Sequence, residues 1–312
     1  MNAPQRNSGW GERRAGERPR RVVAVNPMAA GLGNRIRFTL SAEVVARSED
    51  RLFSYVWPTR PGLFEPAFTD LWKYPETSLP VGAIEPNLVM EKPHFGREST
   101  LIDLRGMRNW FIRGNGLLHC GGDTQAWEDR FRSLVPVEEI KGLVLETKEK
   151  MPPEYVGIQV RASKKTHELT RKASPPSWFI GRMHEILADN PESFFYLSCD
   201  DPATEAQIRR SVANIIGLEK KGEYNSLESV RASVADLYLL SESVHILGPY
   251  WSSFVDLAWA LGGRRQDLED SRDIRKAGGQ GDGPSALSQV FVRNPLFIAK
   301  SKVQALLGVD RS

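Results

Sequence analysis

The stretch VVAVNPMAAGLGNRIRFTLSAEVVARSEDRLFSYVW, residues 22–57, decides the fold class of this chain. Residues 22–25 form a β-branched run ended by an Asn-Pro pair, which is typical of a buried strand. A glycine loop follows over residues 29–35, and apolar residues then recur at helical spacing, which predicts a helix over residues 34–47. Residues 52–57 predict the next strand. This order of strand, glycine turn, helix and strand predicts a βαβ unit in a parallel sheet.

A second α/β pattern follows residue 154, after a proline pair that ends the preceding helix. The remaining predicted strands cover residues 101–104, 110–113, 155–160, 194–197 and 244–247. The remaining predicted helices cover residues 136–150, 175–188, 202–212, 227–240 and 254–261. Residues 58–93 are rich in proline and aromatic side chains, which predicts loops and short helices there.

These patterns divide the chain into two α/β halves and three less regular segments. The predicted divisions are a disordered basic tail over residues 1–20, an α/β domain over 21–150, a second α/β domain over 151–263, a mobile charged and glycine-rich loop over 264–284, and an apolar segment over 285–312 that packs back on the domains. Ligands of such architectures bind at the carboxyl ends of the strands, so we expect the functional site there.

The composition is that of an ordinary globular protein, with 40% hydrophobic residues and a net charge of +3 over 312 residues. So small a charge argues against a nucleic-acid-binding protein. Cys120 and Cys199 form no metal-ligand spacing and no disulfide framework, which favours a reducing cytoplasm. No apolar run approaches the ~20 residues of a membrane helix, and the basic tail lacks the apolar stretch of a secretory signal.

The glycine loop is the first candidate binding site. Gly31 and Gly33 let backbone N–H groups approach a ligand, and the helix N-terminus behind them favours an anion. Asn34 and Arg35 add side-chain donors. The alternative is a tight turn that only packs the helix on its strand. The loop is not the Rossmann fingerprint, because a third glycine at the required spacing is missing.

Arg161 is the second candidate, because it closes a predicted strand at the carboxyl edge of the second sheet. A guanidinium there can bind a phosphate through two hydrogen bonds. Lys164 and Lys165 make this edge locally basic. The alternative is a solvated strand end with a surface salt bridge.

Three further candidates lie beyond Arg161. Asp200 and Asp201 follow a strand and could accept hydrogen bonds from a base or a ribose, or could simply cap the next helix. Ser252 and Ser253 open a helix after a strand, which makes either a phosphate cradle or an ordinary N-cap. Asp236 lies on a helix with an apolar face, where a solvated surface acid is the alternative.

The order of these signals resembles that of the α1,6-fucosyltransferases, including the rhizobial nodulation fucosyltransferase, and of the protein O-fucosyltransferases. The segments that carry the resemblance are GLGNRIRFTLSAEVVAR with LFSYVW, then VGIQVRASKK, FFYLSCDDPATEAQIRRSV and NSLESVRASVADLYLLSESVHILGPYWSSFVDLAWALGG. Together they span most of residues 31–263, with gaps.

The resemblance implies a GT-B fold, in which two Rossmann-like domains face each other across a cleft. It implies an inverting glycosyltransferase that uses GDP-fucose as donor and requires no metal and no other cofactor. The first domain would face the acceptor, a small molecule or an oligosaccharide, and the second would hold the nucleotide sugar. The implied catalytic residues are Arg161, Asn34 and Arg35. The implied donor-binding residues are Gly33, Gln159, Arg161, Asp200, Asp201, Asp236, Ser252, Ser253 and Phe254.

The chain departs from the family pattern at two points. Gln159 stands where the family has a histidine, and the acidic residue that follows the family's arginine is missing here. A glutamine donates and accepts hydrogen bonds but takes up no proton, so the departure bears on nucleobase and sugar identity more than on phosphate binding. The chain also lacks the membrane anchor, coiled coil and SH3 domain of animal α1,6-enzymes, which favours a bacterial-type enzyme.

Several assignments stay open at this point. A general base could come from Asp103, His119 or Asp123 of the first half, and the sequence does not rank them. The alternatives for the whole chain are a transferase of the same fold with a different nucleotide sugar, a non-catalytic carbohydrate- or nucleotide-binding protein, and a nucleic-acid-binding protein that uses its basic tail.

Overall fold

The computed structural model of the chain describes residues 20–81, 109–114, 116–118, 125–164, 166–218 and 223–278. The elements of the first half are β1 Arg21–Val25, α1 Leu32–Ser48, β2 Leu52–Val56, a 3₁₀ turn Phe68–Asp70, β3 Trp72–Lys73, β4 Thr77–Ser78, β5 Asn109–Arg113, α2 Gln125–Arg132, β6 Val135–Pro136 and α3 Glu138–Lys148. Those of the second half are β7 Val156–Val160, α4 Glu168–Ala173, α5 Pro176–Asp189, β8 Phe195–Cys199, α6 Pro202–Ser211, β9 Ile215–Ile216, α7 Leu227–Ser241, β10 His245–Leu247, α8 Ser253–Leu261, β11 Asp267–Glu269 and β12 Ile274–Arg275.

The first sheet has the strand order β4-β2-β1-β5, and all of its strands are parallel. Val23 in the central strand β1 pairs with Ser54 on one side and with Phe111 on the other. The helix α1 connects β1 to β2, so the βαβ unit predicted from residues 22–57 is confirmed.

The second sheet has the order β12-β11-β10-β7-β8-β9 and is parallel apart from its edge strand β12. The strand β7 is buried along its whole length between β10 and β8. Because these three strands run in the same direction, the residues that follow their carboxyl ends lie at one edge of the sheet. That edge is where ligands of open α/β sheets bind.

One apolar cluster runs through both halves of the chain. It includes Ile36 and Phe38 of α1 together with Leu237 of α7 and Leu257 of α8, all of them essentially inaccessible to solvent. Each such side chain contributes about 1.5–3 kcal/mol through burial. The boundary predicted at residues 151–154 falls between α3 and β7 and stays a prediction, but α7 and α8 pack against the first half across it.

One sequence prediction of local structure is confirmed with different bounds, and another is wrong. The helix predicted over residues 136–150 begins at Glu138, because Pro136 lies in β6 and pairs with Trp72. The segment predicted as a mobile loop over residues 264–284 forms β11 and β12 in its described part. Leu268 is the reason, since it is fully buried in a small apolar cluster with Ile246, Val255 and Trp259.

Other predictions fall outside the described residues. These are the tail up to residue 19, the strand over residues 101–104, the segment over residues 285–312, and the general-base candidates Asp103, His119 and Asp123. Within the described ranges, no helix combines the length and the apolar character that crossing a bilayer requires.

Candidate functional site

Arg161 follows β7 directly, at the carboxyl edge of the second sheet, as the sequence predicts. Its side chain is 34% exposed, and its Nε lies 3.3 Å from Oδ2 of Asp200, which follows the neighbouring strand β8. The ion pair fixes one side of the guanidinium and leaves part of the group open to solvent. A partly exposed arginine held in this way can bind an anion.

Asp200 organises the loop after β7. Its Oδ1 accepts hydrogen bonds from the backbone N–H groups of Ala162 at 2.7 Å and Ser163 at 2.9 Å, and its Oδ2 accepts from the Thr166 hydroxyl at 3.0 Å. Both carboxylate oxygens are therefore engaged by the protein. The donor contact predicted for Asp200 stays a prediction, and in the structure the residue positions Arg161 and the loop that carries it.

Asp201 is the N-cap of α6. One carboxylate oxygen accepts from the backbone N–H of Thr204 at 2.9 Å and from the Thr204 hydroxyl at 2.7 Å. These two hydrogen bonds hold the pKa of Asp201 below its usual value. The geometry shows the helix-capping role, and the predicted nucleotide contact of Asp201 stays a prediction.

The start of α8 lies beside β7 and is joined to it by a side-chain hydrogen bond. Ser252 is the N-cap, yet its hydroxyl caps no backbone N–H of its own helix. Instead, Ser252 Oγ donates to Oε1 of Gln159 at 3.3 Å, and Gln159 is only 3% exposed. The first-turn amides of α8, with the half-buried Ser253 and Phe254, are thus presented at the same edge as Arg161.

The loop from β10 to α8 has a constrained backbone. A Cβ at Gly248 would come within 2.7 Å of Val255 Cγ1, so only glycine allows this close approach. Trp251 has a φ of +65°, a conformation rare for a bulky side chain, and its ring meets that of His167 edge-on at 4.9 Å. Sequence reasoning missed His167, and no local pattern singles it out.

The glycine loop of the first half meets α8 at its start. A Cβ at Gly33 would lie 3.2 Å from Ser253 Oγ and 3.2 Å from Leu257 Cδ1, which makes the approach of α1 to α8 very close. Asn34 is half-buried next to this contact, and no described residue hydrogen-bonds to its side-chain amide. Two helix N-termini, each carrying a partial positive charge, therefore converge on the edge that holds Arg161.

Arg35 does not belong to this convergence, and the catalytic role predicted for it stays a prediction that its position does not support. Its side chain is fully buried, and it donates hydrogen bonds to the carbonyls of Ala30, Pro58 and Met28 at 2.7–2.8 Å. The guanidinium also lies 4.2 Å from the centre of the Phe64 ring. Burial lowers the pKa of Arg35 to about 10, so the group stays protonated at neutral pH. Its hydrogen bonds to the carbonyls of Met28 and Ala30 hold the backbone of the glycine loop in place.

Asp236 lies in the core between α7 and β8. It is 1% exposed, and its oxygens accept hydrogen bonds from the Tyr196 hydroxyl at 2.5 Å and the Ser198 hydroxyl at 2.8 Å. The surface-acid alternative is wrong, because the carboxylate is sealed from solvent. The predicted contact of Asp236 with a nucleobase stays a prediction.

Arg37 is a residue that sequence reasoning missed. It follows Gly33 by one helical turn, so it faces the same side of α1. Its Nη2 donates to the Ser253 carbonyl at 3.2 Å and to Asp256 Oδ2 at 3.2 Å. The spacing of four residues from Gly33 is the signal that could have identified it.

The metal-free character of the site stays a prediction. Across the described ranges, no three His, Cys, Asp or Glu side chains come together in a way that could hold a metal ion. The positive groups at the site edge are arginines and helix N-termini, which suit an anionic ligand.

Comparison with known proteins finds similar folds among solved structures but no match by sequence. No family model matches the chain, and no curated protein matches it by sequence. Among solved structures, the fucosyltransferase NodZ from Bradyrhizobium is similar, with a TM-score of 0.61 and 16% identity over 84% of this chain and 100% of that one. A mutant of FUT1 from Arabidopsis thaliana in complex with GDP has a TM-score of 0.55 and 15% identity over 80% and 70%. POFUT1 in complex with GDP has a TM-score of 0.56 and 10% identity over 81% and 99%.

These structures come from the families that the sequence motifs resemble. Identities of 10–16% show a shared fold and nothing finer. The chain has an α/β fold of parallel sheets and helices that is similar to the fold of the fucosyltransferases NodZ, FUT1 and POFUT1.

Proposed function

We propose that the chain is a glycosyltransferase that moves a sugar, L-fucose, from GDP-fucose to an acceptor hydroxyl, with inversion and without a metal ion. One observation carries the proposal. Arg161 after β7 and the start of α8 are brought to one sheet edge and joined through the hydrogen bond between Gln159 and Ser252. The GT-B arrangement and the division into an acceptor side and a donor side belong to the same proposal.

The chemistry of the leaving group explains why these donors suit the reaction. The bond between the anomeric carbon and the β-phosphate oxygen breaks, and its electron pair stays on GDP. The acceptor oxygen forms the new bond from the opposite face and loses its proton to a base. Arg161 and the amides of α8 would stabilise the growing charge on the β-phosphate, as oriented donors do in a closed site. Gly33 and Asn34 of α1 would face the reacting sugar.

The structural neighbours support the donor class. NodZ has been soaked with GDP-fucose, and POFUT1 has been solved in complex with GDP-fucose.

The acceptor stays a small molecule or an oligosaccharide in this proposal, and a cytoplasmic location is part of it. The proposal includes neither a membrane span nor a nucleic-acid partner.

A different nucleotide on the same fold is favoured by two observations. The Asp236 carboxylate is sealed in the core behind Tyr196 and Ser198, and Gln159 replaces the histidine of the family pattern. Thermal-shift competition between GDP, UDP and dTDP separates a guanine-nucleotide donor from a donor with a different base. Stabilisation by GDP alone supports the guanine donor, and stabilisation by UDP alone replaces it.

The test of transfer itself uses a panel of GDP-sugars, with GDP release followed by mass spectrometry. Arg161→Ala is compared with Arg209→Ala, since both arginines are ion-paired and their side chains are 34% and 35% exposed. Loss of an oriented donor to a transition-state charge lowers the rate by about 10²–10³-fold, and only Arg161→Ala should show that loss. Equal activity of the two folded variants would contradict the mechanism. GDP binding with no turnover of any donor would instead support a non-catalytic binding protein.

A further inference from the structure

Three charged side chains join the first half of the chain to the start of α8. Asp256 in the first turn of α8 lies between Arg37 of α1, at 3.2 Å, and Arg275 of β12, at 2.8 Å. We refer to Arg37, Asp256 and Arg275 as the ion triad. Each oxygen of the Asp256 carboxylate faces one guanidinium, so the triad is a bridge with a negative centre and two positive ends.

The position of Asp256 poses an electrostatic problem. A carboxylate in the first turn of a helix is favourable for the helix itself, because it faces the positive end of the helix dipole. Asp256 belongs, however, to the same first turn as the amides that would receive a phosphate. The negative charges of the carboxylate and the phosphate would repel each other there. An ionised Asp256 alone would therefore oppose the ligand that the proposed function requires.

Asp256 is nevertheless ionised at neutral pH. Burial acts to raise its pKa, but the charges of Arg275 and Arg37 outweigh that effect and hold the pKa below the usual value for aspartate. With all three groups charged, the triad carries one net positive charge. The helix start keeps its capping carboxylate and remains attractive to an anion.

The structure holds Arg37 tightly in this place. The residue is 9% exposed, and its Nε is buried without a hydrogen-bond partner, which is unfavourable. Its Nη2 donates hydrogen bonds to both Asp256 and the Ser253 carbonyl, so the guanidinium of Arg37 binds to the start of α8. An arginine that leaves a buried N–H unpaired and still ion-pairs with Asp256 points to a role for its charge at this position.

We propose that Arg37 and Arg275 are positioning residues for the donor site, which neutralise Asp256 so that the start of α8 binds the pyrophosphate of the donor. The inference rests on the proposed function, since it concerns how the same site holds its anion. It predicts that the two ends and the centre of the triad have opposite effects on anion affinity.

The experiment is calorimetric titration of the full chain with GDP and, separately, with inorganic pyrophosphate. Arg37→Met should weaken binding of both by roughly tenfold, because the triad then loses its net positive charge. Asp256→Asn should strengthen pyrophosphate binding, since two positive charges then remain. The double variant Arg37→Met/Asp256→Asn should return to within a few-fold of the unmodified chain.

The control is Arg132→Met. Arg132 lies in α2 and donates to the Ala260 carbonyl at 2.8 Å, so it ties the first half to the opposite end of the same helix. A purely structural role for the ion triad predicts that Arg132→Met and Arg37→Met act alike and that Asp256→Asn weakens binding. Either result would overturn the inference.

The titrations distinguish a failure of the proposed function from a failure of the inference about the ion triad. If the unmodified chain binds neither GDP nor pyrophosphate, the proposed function is wrong and the inference falls with it. If the chain binds both and Asp256→Asn binds pyrophosphate more weakly, only the inference is wrong. Should Arg37→Met fail to fold, Arg37→Lys, which keeps the charge and should retain affinity, and Asp256→Asn decide the question.

Discussion

Ser252 donates its hydroxyl to Gln159 Oε1 at 3.3 Å, although the two residues are 93 positions apart in the chain. An N-cap serine ordinarily bonds the backbone N–H of its own helix. Because this serine bonds the neighbouring strand instead, the amides at the start of α8 are left for another acceptor. The relationship links the strand that carries Arg161 to the helix that would hold a phosphate.

Replacement of Gln159 by leucine should therefore weaken GDP binding. Without its partner, the Ser252 hydroxyl turns to its own helix and competes with the phosphate for an amide. One hydrogen bond of this kind is worth about 1 kcal/mol, or roughly fivefold in Kd. Isothermal titration with GDP measures the change.

The matched control for this change is Gln266→Leu. Gln266 is also buried, and its amide bonds the Ser241 carbonyl at 3.0 Å, away from the site edge. That variant should lose thermal stability and keep its GDP affinity. Equal GDP affinity for Gln159→Leu and the unmodified chain would show that Ser252 has no influence on binding.

Adjacent aspartates should respond differently to the same substitution. Asp200→Asn removes the charge that faces Arg161 and disturbs the loop that Asp200 holds through Ala162 and Ser163. The KM for the donor should rise and kcat should fall by about tenfold or more, since misplaced positioning groups have effects of this size. Asp201→Asn should be nearly neutral, because asparagine caps a helix as well as aspartate. Steady-state kinetics on both variants decide the matter, and similar losses in the two would refute the distinction.

Two glycines of the same loop should also differ. An alanine Cβ at Gly33 would lie 3.2 Å from Ser253 and Leu257, whereas a Cβ at Gly31 would meet nothing within 4 Å. Gly33→Ala should push the starts of α1 and α8 apart and lower both GDP affinity and stability, the latter by about 1 kcal/mol. Gly31→Ala should leave both unchanged. Chemical denaturation and GDP titration of the pair test this, and an unaffected Gly33→Ala would mean that the helices need no such contact.

Arg35 should prove to be a stability residue. Arg35→Met leaves the carbonyls of Ala30, Pro58 and Met28 without their donor in a buried place. Each unsatisfied buried group costs about 1–3 kcal/mol, so the free energy of unfolding should fall by at least about 3 kcal/mol. Thermal melting compares this variant with Arg161→Ala, for which the melting temperature should barely change. A folded, stable and inactive Arg35→Met protein would support the catalytic assignment instead.

The ion triad should give the fold a defined pH dependence. The folded pKa of Asp256 is lowered, so its ionisation contributes stability that is fully present above the unfolded pKa of about 4 and is lost as the pH falls through the folded pKa. Near pH 7, Asp256→Asn should melt at a lower temperature than the unmodified chain. That difference should shrink as the pH is lowered below about 4. A difference that is constant with pH would show that the charge of Asp256 does not contribute.

The order of strands and helices could be predicted because the signals are local. Residues 22–57 carry the strand and helix periodicities within one short stretch, and Arg161 is placed at a sheet edge simply because it ends a β-branched run. The strands β11 and β12 could not be predicted, since segments so short owe their form to packing against neighbours such as Ile246 and Trp259.

The candidate site was predictable only in part, for a related reason. Whether Arg35 faces solvent or core depends on Phe64, which belongs to another segment. The engagement of Asp200 by loop amides and of Asp236 by Tyr196 likewise joins residues that are distant in sequence. The positions of Arg161, Ser252 and Ser253 in the fold could be predicted because each directly follows or opens a regular element.

A crystal structure of the chain with GDP bound is the decisive measurement for the proposed donor site. We expect the β-phosphate to lie about 3 Å from the Arg161 guanidinium and from the first backbone N–H groups of α8. A GDP molecule bound elsewhere on the chain, or a β-phosphate that contacts neither Arg161 nor the start of α8, would contradict this proposal.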